Sequence, residues 1–175
     1  QNCAVLHRRG QLTLHSRNPD SRIAWFSLAD TRRASSNTEL SLMAHDPRPA
    51  LESFVEYVSK LDGDEKGEAQ VFLDRLFQAF GHAGYKEAGA ILESRVRATG
   101  KGTRFADLLW SPRVLIEMKK RGENLLTHYD QARDYWHDTY PKPRYVVLCN
   151  FDEFWIYDFF NQSEPVDTLR LQDIP

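Results

Sequence analysis

Cysteine, long apolar runs and a surplus of positive charge are what this sequence has least of. Cys3 and Cys149 are the only cysteines in 175 residues. They are far apart and match no zinc-ligand spacing, which argues against both a disulfide framework and a zinc ribbon. A reducing, cytoplasmic setting fits that usage best. Cys149 closes the apolar run "YVVLC" and reads as a small core residue. No apolar stretch approaches the roughly 18 residues of a membrane span, and no signal-peptide pattern is found. The formal net charge is -2, so the chain lacks the overall basic signature of a nucleic-acid binder. Any nucleic-acid site must be a local patch.

What the chain does have is ordinary for a globular domain. It is 41% hydrophobic and 27% charged, with length enough for one domain with a real core. Charge is unevenly spread. Residues 1–50 hold seven Arg, no Lys and four acids, a net of +3, while residues 51–175 carry a net of -5. The first part has no sustained periodicity. The chain opens on Gln1, and "MAHDPRPALESF" from Met43 reads like a natural start. The expectation is an N-terminal extension over 1–46 and one folded domain over 47–175. "IAWFSLA" at 23–29 is the one part of the extension suited to a strand or short helix.

Periodicity orders the rest. Leu51, Phe54, Val55, Val58 and Leu61 recur at helical spacing over 48–61, with Pro49 near the helix start. "DGDEKG" breaks the pattern. A second helix is predicted over 66–81 from Phe72, Leu73, Leu76, Phe77 and Phe80, stopping at Gly81. Three strands follow: "LESRVRA" (92–98), "RFADLLW" (104–110) and "RVLIEMK" (113–119), joined by the turns "TGKG" and "SP". A helix over 123–138 and strands over 144–150 and 153–159 complete the pattern, before a short amphipathic tail. A meander, a crossover helix and a further strand put antiparallel and parallel pairs in one sheet. The fold class is α/β (α+β) with a mixed central sheet flanked by helices.

Charges on these apolar strands need a reason. In "VLIEMKK" alternation puts Val114, Ile116 and Met118 on one face and Leu115, Glu117 and Lys119 on the other. Asp107 sits on the preceding strand, so a tight turn brings it close to Glu117 in the spacing Asp-x9-Glu-x-Lys. Two close carboxylates repel and are expensive to bury. A divalent cation resolves both problems, and oxygens of Asp107 and Glu117 suit Mg²⁺, with Mn²⁺ as a substitute. Lys119 would then face a substrate phosphate or the attacking water. The bland alternative is a Glu–Lys pair on a solvated sheet face, a weak stabiliser in a structural or interaction domain. Glu-x-Lys alone carries little information, and its company decides the reading. Arg95, Arg97, Lys101, Arg104, Lys120 and Arg121 supply a candidate local patch for DNA phosphates. His128 and the aromatics Trp110, Trp136, Phe151, Phe154 and Trp155 read as surface and core residues respectively.

Strand–Asp–turn–strand–Glu-x-Lys resembles the core of the PD-(D/E)xK nucleases. Gln131 and Tyr135 in "QARDY" match the Gln-xxx-Tyr motif that a large subset of them carry on the next helix. More closely, "GEAQVFLDRLFQAFG", "RFADLLWSPRVLIEMKKRGENL", "HYDQARDYW" and "PRYVVLCNFDEFWIYD" are similar to the amino-terminal nuclease domain of MmeI-like (type IIG/IIL) restriction-modification enzymes, over roughly 50–175. The resemblance implies a restriction-endonuclease-like αβββαβ core and Mg²⁺-dependent hydrolysis of double-stranded DNA. It implies metal binding by Asp107, Glu117 and the Met118 carbonyl, and a water-orienting role for Lys119. It implies supporting roles for Glu68, Gln131 and Tyr135, and a homodimer as one route to double-strand cleavage. MmeI-like enzymes also carry an adenine-N6 methyltransferase. No Asn/Asp-Pro-Pro-Tyr/Phe motif or Gly-rich cofactor loop occurs here, so S-adenosylmethionine would belong to domains beyond this chain. The rival readings are a repair or junction-type nuclease of the same fold and a non-catalytic DNA-binding module.

Overall fold

The computed structural model describes residues 46–97 and 103–175. Residues 1–45 of the expected extension and the "TGKG" turn, with Lys101, lie outside the described residues. Helix α1 spans Arg48–Val58 and turns Leu51, Phe54 and Val58 inward. Helix α2 spans Glu65–Ala79 and buries Ala69, Phe72, Leu73, Leu76, Phe77 and Ala79. Its start is set by Asp64, whose side chain accepts from the backbone N–H groups of Lys66 and Gly67. Strands β1 (Ile91–Arg97), β2 (Thr103–Trp110) and β3 (Val114–Met118) form the meander. Helix α3 (Tyr129–Asp138) crosses over to β4 (Tyr145–Cys149), followed by β5 (Glu153–Tyr157) and β6 (Pro165–Arg170).

The six strands lie in sequential order, β1-β2-β3-β4-β5-β6. Only β3 and β4 pair in parallel, as a helical crossover requires; the other pairs are antiparallel. This is the expected α+β fold with a mixed sheet. Helices α1 and α2 cover one face of the sheet, where Val114, Ile116, Met118, Val147 and Cys149 pack under Phe54, Phe72 and Phe77. Helix α3 covers the other face through Ala132 and Tyr135, against Leu115, Val146 and Leu148. The central strands are therefore buried on both faces, which explains their continuous apolar runs. Phe72 is the hinge of the first layer, with ring centroids 5.3 Å from Phe54 and 5.1 Å from Phe151. Losing such a side chain costs about 3–5 kcal/mol.

Two local expectations differ from the structure. The predicted helix from 123 begins instead as a 3-10 turn, Leu125–His128, because the Asn124 side chain caps Leu126 N–H and starts a tighter turn. The tail contributes the sixth strand. Its half-polar alternation suits an edge strand, and Pro165 is tolerated where no further strand needs its missing N–H.

Candidate active site

The site forms where the sheet stops being regular. The β2–β3 register runs Trp110↔Val114, Leu109↔Leu115, Leu108↔Ile116. One step further would set Asp107 opposite Glu117, and there the ladder ends. On the other side, Leu92↔Leu108 and Ser94↔Ala106 flank an unpaired step that sets Glu93 opposite Asp107. Three acids thus occupy one row across three strands. Like charges directly opposite one another disfavour pairing. Glu93 adopts φ +48°, a left-handed conformation uncommon for a residue other than glycine.

The row also exchanges the faces of the sheet. Leu108 packs in the layer under α1 and α2, whereas Ala106, two residues earlier, packs under α3. Strict alternation would put both on one face. Leu92 and Val96 show the same exchange on β1. The Asp107 carboxylate consequently leaves the regular pleat, and its Oδ2 takes the Met118 N–H at 2.6 Å. The next N–H, of Lys119, turns to β4 and bonds the Cys149 carbonyl at 2.7 Å. Successive residues of a strand address opposite neighbours, so the Met118 carbonyl faces the Asp107 side.

Glu117 is 3% exposed and Lys119 is 5% exposed. Glu117 Oε1 accepts from Lys119 Nζ at 2.9 Å and from Gln131 Nε2 at 2.6 Å. Glu117 Oε2 is buried and has no hydrogen-bond partner among the described residues. Burial, and then the charge of Asp107, push the Glu117 carboxyl up to about 7 against the pull of Lys119. Burial likewise raises Asp107, although the Met118 N–H opposes it. For Lys119, burial disfavours the ammonium, but Glu117, Glu65 and Asp107 together outweigh it and leave the amine above its ordinary value. Gln131 also donates to the Tyr135 hydroxyl at 3.2 Å, which donates to the Phe105 carbonyl at 3.2 Å. The Gln-xxx-Tyr pair on α3 thus links Glu117 to the backbone of β2, two residues from Asp107.

Glu68 is not among the groups around Lys119. Its carboxylate accepts from the backbone N–H groups of Asp62, Gly63 and Asp64 at 3.2, 2.6 and 3.0 Å. Those bonds, that of Asp64 foremost, hold it below the usual carboxylate range and close the loop before α2. The helix acid that reaches the site is Glu65, 3.6 Å from Lys119 Nζ. Glu65 lies one helical turn before Ala69 on the buried stripe. Recognising Asp64 as the helix cap would have separated the two roles. Glu93 was the other omission, and only its register with Asp107 reveals it.

The basic residues divide. Arg121 Nε bonds Asp152 at 3.0 Å, and its other nitrogens bond the carbonyls of Leu61 and Val58. It staples the end of β3 to the α1–α2 loop and so fixes where α2 begins, rather than presenting a free cation. Arg104 pairs with Asp134 of α3 at 2.9 Å. Arg95 and Lys120 are exposed. Arg97 belongs to β1, but its side chain and Lys101 lie outside the described residues. His128 bonds Glu123 at 2.7 Å, the surface role expected of it.

Among the described residues, no group of three or more His, Cys, Asp or Glu side chains is arranged to hold a metal. Asp107, Glu117 and the Met118 carbonyl nevertheless suit one hard cation that keeps several waters. The buried, unpartnered Glu117 Oε2 beside a second carboxylate is the feature a cation would relieve.

A mixed sheet between helices, carrying Asp107, Glu117 and Lys119 at its opening, defines a PD-(D/E)xK-type domain. The chain belongs to the family described as MmeI, N-terminal domain, which matches residues 49–175. That membership associates it with restriction-modification enzymes and, through them, with DNA. No curated protein and no solved structure matches the chain. No helix among the described residues is long and apolar enough to cross a membrane.

Proposed function

We propose that residues 47–175 form a metal-dependent endodeoxyribonuclease domain. It would be the cleavage module of a type II restriction-modification enzyme whose adenine-N6 methyltransferase lies outside this chain. The observation that carries this reading is the buried carboxylate Glu117, paired with Lys119 and left with an unsatisfied oxygen next to Asp107. A purely structural ion pair would have no use for that second charge and that orphaned oxygen.

Asp107, Glu117 and the Met118 carbonyl would hold Mg²⁺ or Mn²⁺. The cation, when bound, supplies charge for the scissile phosphate and acidity for a water. Lys119 is held by Glu117 and Glu65 in its charged form. It would place an ammonium beside the phosphate oxygens, orient the attacking water and offset the charge that develops. Gln131 fixes the carboxylate plane of Glu117, and Tyr135 fixes Gln131. Burial around this group excludes bulk water and strengthens each interaction.

Supercoiled plasmid incubated with the protein and Mg²⁺ tests this reading. Nicking is expected with Mg²⁺, not with chelator, and Lys119→Ala should reduce it by roughly two orders of magnitude or more. Nicking that survives Lys119→Ala unchanged would overturn the site assignment.

A further inference from the structure

We propose that Phe105, with Arg95 beside it, is a DNA-contacting platform that bears on the nucleotide next to the scissile phosphate; this rests on the nuclease reading. Phe105 is 54% exposed on a strand whose other large apolar residues are mostly covered. Its register partner across β1 is Arg95, and cross-strand partners share a face. Val96 and Ala106 face α3, and Arg104 reaches Asp134 of the same helix. Alternation therefore sets Arg95 and Phe105 on the opposite face, that of α1 and α2, where both side chains remain exposed.

Position identifies the occupant. Phe105 lies two residues from Asp107 on one strand, about 7 Å along it, so a duplex that brings a phosphate to the carboxylates passes beside the ring. An exposed aromatic next to an arginine matches nucleic-acid surfaces that combine base or sugar packing with backbone charge. Over 91–104 the sequence holds Arg95, Arg97, Lys101 and Arg104 against Glu93 alone, a local basic excess on a chain whose net charge is -2. An acidic or purely apolar partner would not fit both features. The contact also leads into the catalytic network, because the Phe105 carbonyl accepts from Tyr135, and Gln131 joins Tyr135 to Glu117. A ring pressed by DNA would thereby steady the backbone that holds this chain of bonds.

The test is fluorescence anisotropy of a short labelled DNA duplex, with Ca²⁺ in place of Mg²⁺ so that binding is read without cleavage. Phe105→Ala is expected to weaken binding roughly ten-fold, the scale of one aromatic side chain packed against sugars, without changing the slope of affinity against salt. Phe105→Trp should retain affinity. Arg95→Ala should lower the salt slope by about one. Phe160→Ala is the control. That ring is 53% exposed but follows Tyr157, at the end of β5 remote from the Cys149–Met118 end of the sheet. Thermal melting should place every variant near the wild type. If Phe105→Ala binds DNA as the wild type does, this inference falls and the nuclease reading stands. If the loss is matched by Phe105→Trp and by a lowered melting point, the ring is structural and the inference also falls. If the wild type neither binds nor nicks DNA, the nuclease reading falls and takes this inference with it.

Discussion

Replacing Glu117 by Gln should make the metal-free protein more stable while abolishing its chemistry. The carboxyl is nearly fully buried and pushed up to about 7, from an ordinary 4.5. A raised carboxyl means that the folded state binds its proton more tightly than the unfolded chain does. The associated stability is complete below pH 4.5 and is lost as pH rises to about 7 and beyond. At 1.36 kcal/mol per unit, that one group withdraws about 3 kcal/mol across the window. Asp107, also raised, contributes with the same sign from its own lower starting point. The amide introduced by Glu117→Gln would keep an oxygen for Lys119 and Gln131 and would remove the like charge facing Asp107. It would also weaken the hold on the Lys119 ammonium, so a net gain of about 1–3 kcal/mol at pH 8 is expected.

Urea denaturation in chelator, at pH 5 and pH 8, reads this directly. The wild type should lose stability between the two values, and Glu117→Gln should lose much less. Saturating Mg²⁺ should reverse the order. At a hundred-fold excess over Kd a ligand adds about 2.7 kcal/mol to a protein that binds it. The wild type should gain on that scale and the variant should not. A variant less stable than the wild type at pH 8 in chelator, or with the same pH slope, would refute the claim that Glu117 is held at electrostatic cost for a cation.

Arg121→Ala removes bonds to Asp152 and to the carbonyls of Val58 and Leu61, and should destabilise by about 2–4 kcal/mol in the same denaturation assay. Plasmid nicking should fall as Glu65 loses its register with Lys119, whereas the salt slope of DNA binding should not change. Gly63→Ala is expected to cost at least about 2 kcal/mol, because Gly63 has φ +79° and an added Cβ would lie 2.3 Å from Cβ of Arg121. A near-neutral result at Gly63 would mean that the loop before α2 is not clamped as described.

Much of the frame was legible because it rests on periodicity. The stripe of Phe72, Leu73, Leu76 and Phe77 fixed α2, and the alternation of Val114, Ile116 and Met118 fixed the faces of β3. The spacing Asp-x9-Glu-x-Lys announced a juxtaposition because a tight turn leaves little choice of register. What stayed hidden depends on tertiary partners. Glu68 and Glu65 are three residues apart on one helix face, and only the cap at Asp64 decides which carboxylate serves the backbone and which reaches Lys119. Arg121 looked like a surface cation because sequence does not show that the α1–α2 loop brings two carbonyls to it. Strand β6 was hidden by its polar alternation, which is proper to an edge and resembles a loop.

The least legible feature is also the one that shapes the site. A strand pattern gives no warning that Glu93 should turn left-handed, since glutamate has no preference for that region. Yet the face exchange between Leu92 and Val96, matched by that between Leu108 and Ala106, requires a local twist at the row of Glu93, Asp107 and Glu117. Substitution at Glu93 separates a real turn from a loosely paired strand. In a regular strand Val is favoured over Gly by about 1 kcal/mol. At φ +48° the order should invert, because a β-branched residue pays the left-handed penalty of about 1–2 kcal/mol and Gly does not. Both substitutions remove the carboxylate and its 3.2 Å bond from Gln70, so the comparison isolates the backbone. Thermal melts of Glu93→Gly and Glu93→Val should place the glycine variant higher. If valine is the more stable, β1 is a continuous strand at Glu93, and the twist that turns Asp107 toward Met118 must originate elsewhere.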